Sequence, residues 1–82
     1  MKPRYARIGR SLVLRWGGLA YIRPISGASY WINEMDSTIG VADPATDETT
    51  WWAPSPNGWK VVRIRKMTID QYQLIEAATL VR

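Results

Sequence analysis

Cysteine, histidine and phenylalanine are all absent from this 82-residue sequence, and each absence excludes something. Without cysteine there is no disulfide to staple a small fold and no thiolate to act as nucleophile or soft metal ligand. Without histidine the commonest general base and the commonest metal ligand are missing. Without phenylalanine, all nine aromatic residues are tryptophan or tyrosine, so each brings a polar N–H or O–H that a dry core has to satisfy. Long apolar runs are also lacking. SLVLRWGGLAYI, residues 11–22, is the greasiest stretch, but Arg15 and Gly17-Gly18 interrupt it, which excludes a secretory h-region. Nothing approaches the roughly 18 apolar residues of a membrane span. These features lead to the expectation of a soluble, cytoplasmic chain with no membrane partner.

A chain this short buries only about 60–65% of its unfolded surface, so a single domain over residues 1–82 is expected, held by Leu, Ile, Val, Ala and the aromatics. Net charge is +4, unevenly placed. Residues 1–23 carry six cations and no acid, residues 24–58 five acids and no cation, and residues 59–82 five cations against two acids. Two explanations compete: the basic ends and the acidic middle face each other across the fold, or a basic face steers an anionic partner.

Ser11 to Arg23 reads as a β-hairpin about the Gly17-Gly18 turn, pairing Trp16 with Leu19, Leu14 with Tyr21 and Val13 with Ile22. Leu12, Leu14, Trp16, Leu19 and Tyr21 then share a core face, while Ser11, Val13, Arg15, Ala20 and Ile22 share the other. Ala28–Asn33 and Thr38–Ala42 are strand candidates joined by the polar Glu34–Ser37 turn. Thr49–Ala53 and Trp59–Lys66 form a further hairpin candidate; Pro54 and Pro56 favour a connection made of the whole loop Pro54–Gly58. Thr68 to Gln71 (TIDQ) matches a capping box, with Met67 and Tyr72 at staple positions, and predicts a helix from about Ile69 onward. Its packing stripe is predicted as Tyr72, Ile75, Ala78 and Val81, with Leu74 and Ala77 beside it. The expected class is α+β: a small antiparallel sheet of four to six strands with one C-terminal helix packed on it, or alternatively an SH3-like small barrel.

Catalytic residues are scarce. The carboxylate pairs Glu34/Asp36 and Asp47/Glu48 lie in polar loops where solvation keeps them ordinary, and no metal-ligand, phosphate-cradling or dinucleotide pattern occurs. No catalytic residue, metal, cofactor or small-molecule substrate is therefore expected. Binding is better provided for, since Trp, Tyr and Arg dominate interface hot spots. Adjacent Trp51 and Trp52 point to opposite faces of an extended chain, so one indole is available as a rigid surface anchor. On the following strand, strict alternation places Trp59, Arg63 and Arg65 on the open face and Val62 and Ile64 inward. Trp51, Trp52, Trp59, Arg63 and Arg65 are thus the expected partner-binding residues, and Lys2, Arg4, Arg7 and Arg10 a basic patch.

The function expected from this is a non-enzymatic protein-binding module, an inhibitor or adaptor acting stoichiometrically on a host macromolecular complex. By analogy of size and surface, a protein of phage or mobile-element type is expected, with a nucleic-acid-handling defence system among the complexes it would block. The alternative is nucleic-acid binding through the basic and aromatic face, and the weaker alternative is a small RNase that works without histidine.

Overall fold

The Gly17-Gly18 dipeptide takes positive φ at both residues, as a type I′ turn requires, and it fixes the hairpin on which the rest is built. The structure, a computed structural model, describes residues 1–81. Seven strands follow in chain order: β1 (Arg4–Ile8), β2 (Ser11–Trp16), β3 (Leu19–Pro24), β4 (Tyr30–Asn33), β5 (Thr38–Asp43), β6 (Glu48–Ser55) and β7 (Gly58–Lys66), and the helix α1 spans Ile69–Leu80. The strands form one antiparallel sheet in the order β1 to β7, so each pairs with its neighbour in sequence. The class is α+β as expected. The sheet has seven strands rather than four to six, and it is an open meander with β1 and β7 at its two edges rather than a closed barrel.

The hairpin register matches the expected pairs Trp16/Leu19, Leu14/Tyr21 and Val13/Ile22. The extra strand is β1, whose residues the sequence presents only as a run of charge. Gly9, at φ +60°, opens a two-residue turn with Arg10 and pairs Ile8 with Ser11. The β4–β5 and β5–β6 loops repeat one solution. Each opens on an Asx residue whose carboxyl or amide oxygen accepts the N–H two residues on (Asn33 from Met35, Asp43 from Ala45), and each ends at a positive-φ residue, Ser37 or Asp47.

The connection between β6 and β7 differs from expectation. It is the two-residue turn Pro56-Asn57, with Ser55 paired to Gly58 and Pro54 inside β6 opposite Trp59. Pro54 is tolerated there because β5 pairs with β6 only as far as Trp52, so at Pro54 the strand has a neighbour on one side alone.

The helix lies on the face carrying Leu12 and Leu14, and the buried cluster is Leu12, Leu14, Trp31, Trp51, Leu74 and Ala78. Its start is the expected capping box: the Thr68 hydroxyl accepts from the Gln71 amide, and the Gln71 side chain accepts from the Thr68 amide at 3.0 Å. The packing stripe differs from the predicted one. Gln71, Leu74 and Ala78 are buried, whereas Tyr72 is exposed. The cap explains the shift, because it turns Gln71 inward, where its amide also donates to the buried Thr49 hydroxyl at 2.9 Å. At the other end, Arg23 of β3 donates to the Ala78 carbonyl at 2.8 Å, supplying the cation that the last helical turn lacks. Trp31 is buried and stacks obliquely on Tyr21, ring centroids 4.4 Å apart, while Trp16, at the turn end of β2, is exposed. No helix among the described residues is long and apolar enough to cross a membrane.

Candidate functional site

The two adjacent tryptophans of β6 part as the pleat demands. Trp51 is 5% exposed and belongs to the core beneath the helix; Trp52, half-buried, stands on the opposite face. Gly40 makes room for the buried indole. A Cβ there would lie 2.8 Å from both Trp51 Cζ3 and Thr49 Cγ2, so only a residue without a side chain lets the ring lie across β5.

The strand opposite is where the expected geometry fails. A β-bulge sets Arg63 against Trp51 and Val61 against Trp52, leaving Val62 as the extra residue. One inserted residue reverses the alternation, so Arg63 and Arg65 point to the helix side while Trp59 and Val61 share the open face with Trp52. Val62 and Ile64, expected inward, are exposed. Nothing local in WKVVRIRK marks the bulge, which is fixed by how the two strands pair.

Arg63 is consumed by the fold. Its guanidinium lies 5.2 Å from the Trp51 ring centroid, donates to Thr38 Oγ1 at 3.0 Å and pairs with Asp36 at 2.9 Å. The Thr38 hydroxyl in turn donates to Asp36 Oδ1 at 2.6 Å. The Thr38 hydroxyl first, with its amide and Arg63 adding to it, holds the Asp36 carboxyl below the usual aspartate range. Arg65 is exposed and donates to the carbonyl of its own neighbour, Ile64. Of the five residues expected at the binding surface, the structure therefore brings together Trp52 and Trp59, buries Trp51, engages Arg63 and sends Arg65 to the other side.

The open face has more to offer than those two indoles. Trp52 stands opposite Ile39 of β5 and Val61 of β7, and Trp59 stands one pleat further along, 54% exposed. Ile39, Trp52 and Trp59 alone line a shallow depression of about 450 Å³. Val41, Val61 and Ile64 are exposed around it; further along the same face, across β2 to β4, Val13, Tyr30 and Ile32 are half-buried and Ala20 and Ile22 are buried. The helix covers the other face, and on this one the β5–β7 end around Ile39, Trp52 and Trp59 is open to solvent. The extent of this face was legible in the alternation of β2 and β3; its continuation through Ile39 and Trp52 required the sheet order.

The carboxylates are largely engaged where they come close to cations. Glu34 pairs with Arg15, whose guanidinium holds its carboxyl below the ordinary range, and Asp36 with Arg63. Among the described residues no three acidic side chains gather as a metal-holding group. Lys2, Arg4, Arg7 and Arg10 are exposed along and beside β1 and make no ion pair with any described acid. Comparison with protein-family models, with curated proteins and with solved structures gives no match for this chain.

Proposed function

We propose that this chain is a non-enzymatic protein-binding module whose contact surface is the helix-free face of the sheet, with Trp52 and Trp59 as anchors. The observation that carries the reading is the depression formed by Ile39, Trp52 and Trp59 alone. Around it Val41, Val61 and Ile64 are exposed, an apolar cluster of the kind that marks interaction sites, and rigid indoles at its centre cost little conformational entropy on binding. A stoichiometric inhibitor or adaptor acting on a host complex is the use that suits a small module with this surface. The engaged state of Glu34, Asp36 and Arg63 argues against acid–base or phosphoryl-transfer chemistry by those groups.

The test is affinity capture from the native host followed by titration of the captured protein against wild type, Trp59→Ala and Trp52→Ala. Loss of at least about tenfold in affinity for Trp59→Ala, with the far-ultraviolet spectrum unchanged, is the expected result. A partner that binds both variants as tightly as wild type would move the site elsewhere.

A further inference from the structure

Among the described residues, the cations differ in how they are used, and those without a partner gather at one edge of the sheet, with Lys60 of β7 the exception. Arg15 and Arg63 pair with acids, Arg23 caps the helix, and Lys66 and Arg65 donate to the carbonyls of Thr46 and Ile64. Lys2, Arg4, Arg7 and Arg10 have no described acid partner, and all four lie on β1, just before it or in the turn that follows it. No acid occurs before residue 34, so nothing in the local sequence neutralises them. They also sit at an edge. Arg4 and Arg7 point to opposite faces, but on an edge strand both long side chains reach the rim, roughly 10 Å apart along the chain. The outward N–H groups of β1 have no strand to pair with and add further donors on the same line.

Two exposed aromatic rings accompany these charges. Tyr5 is 65% exposed in the middle of β1, and Trp16 is 39% exposed at the end of β2 that borders Lys2 and Arg4. Lys2, Arg4, Arg15, Trp16, Gly17, Gly18 and Glu34 line a depression of about 380 Å³, and since Glu34 is held by Arg15, the charge left in it comes from Lys2 and Arg4.

We propose that the β1 edge is a docking site for single-stranded nucleic acid, with Lys2, Arg4, Arg7 and Arg10 on successive phosphates and Trp16 and Tyr5 stacking unpaired bases. A row of cations on an extended strand suits a polyanion of repeating charge. Rings beside it select single strands over duplex, because only unpaired bases expose a face to stack. This edge is at the far end of the strand order from Trp52 and Trp59, so the site is separate from the depression those indoles line and would let one small chain hold a protein and a nucleic acid together.

The test is fluorescence anisotropy with a labelled, mixed-sequence single strand of about 12 nucleotides, as DNA and as RNA. With four phosphate contacts on a single strand, affinity should fall about 50-fold between roughly 50 and 200 mM salt. R4A/R7A should remove half of the salt dependence. Trp16→Leu should weaken binding while leaving the salt slope unchanged, which a purely electrostatic edge would not do. K60A/R65A, at the other end of the sheet, should change nothing. Circular dichroism of each variant confirms folding, since all substituted side chains are exposed. Absence of binding below about 100 μM at the lower salt would overturn the proposal. So would equal binding of polyglutamate of the same charge, which would make the edge a site for acidic protein, or an unaffected Trp16→Leu.

Discussion

Removing each indole of the Trp51-Trp52 pair in turn tests the register on which the site rests. Trp51 is buried in the core, fills the space that Gly40 leaves and carries the Arg63 guanidinium on its face. Truncation to alanine should cost about 3–5 kcal/mol for lost burial and the cavity, plus about 0.5–1 kcal/mol for the stacked cation. An 82-residue chain has roughly 4–12 kcal/mol in total, so Trp51→Ala should stand near the limit of folding. Trp52 on the open face loses only its cross-strand contacts with Ile39 and Val61, about 1 kcal/mol together. Urea denaturation followed by far-ultraviolet circular dichroism suits both variants, because tryptophan fluorescence changes with the substitution itself. At a slope of about 1 kcal/mol per molar urea, the two midpoints should drop by about 4 M and about 1 M. Equal drops would show that both rings are covered, and Trp52 could then not serve as a surface anchor.

Gly40→Ala should destabilise by about 1–3 kcal/mol, although alanine is otherwise better in a strand, because its Cβ meets Trp51 and Thr49 at 2.8 Å; an unchanged melting curve would refute the close approach. Thr68→Ala should cost about 1 kcal/mol by loss of the cap, read from the denaturation midpoint. Gln71→Leu should cost about 1–3 kcal/mol by leaving the buried Thr49 hydroxyl without its partner, and Thr49→Val in the same chain should recover part of that loss; strict additivity in the double-mutant cycle would disprove the coupling. Asp36 has a lowered folded pKa, so the stability it contributes is present above the ordinary aspartate range, near pH 4, and is lost as pH falls through the lower folded value. Asp36→Asn should flatten the acid limb of the stability profile below about pH 4, and a limb of unchanged steepness would assign it to other carboxylates.

What could be read in the sequence was what neighbouring residues decide among themselves. Gly17-Gly18 dictates its turn and with it the β2–β3 register, and Thr68 to Gln71 closes a cap within four residues. The failures are all decided across strands. Val62 is extra only because of what β6 places opposite it, Pro54 is admissible only because β5 has ended, and Tyr72 loses its place to Gln71 because Thr49, far away in sequence, offers a hydroxyl. β1 was hidden for a different reason. An edge strand need not alternate cleanly, and its cations, which guard an edge against unwanted pairing, resemble a charged tail when read along one chain. The candidate surface was accordingly half legible: Trp52 and Trp59 follow from the tryptophan-rich stretch, but their separation from Arg63 and Arg65 does not.

The meander joins every strand to its predecessor, yet the helix that completes the core comes last and returns to β2 and β3, the second and third strands made. Leu12 and Leu14 must therefore wait for Leu74 and Ala78, some sixty residues downstream, before their face is dry. On a ribosome the sheet can grow strand by strand from its N-terminal hairpin, but the face carrying Leu12 and Leu14 remains apolar and wet until Ile69–Leu80 arrive. The interval before α1 docks is when the nascent chain is most prone to stick to itself or to a chaperone, and a chain that stalls before Ile69 has no means of leaving that interval.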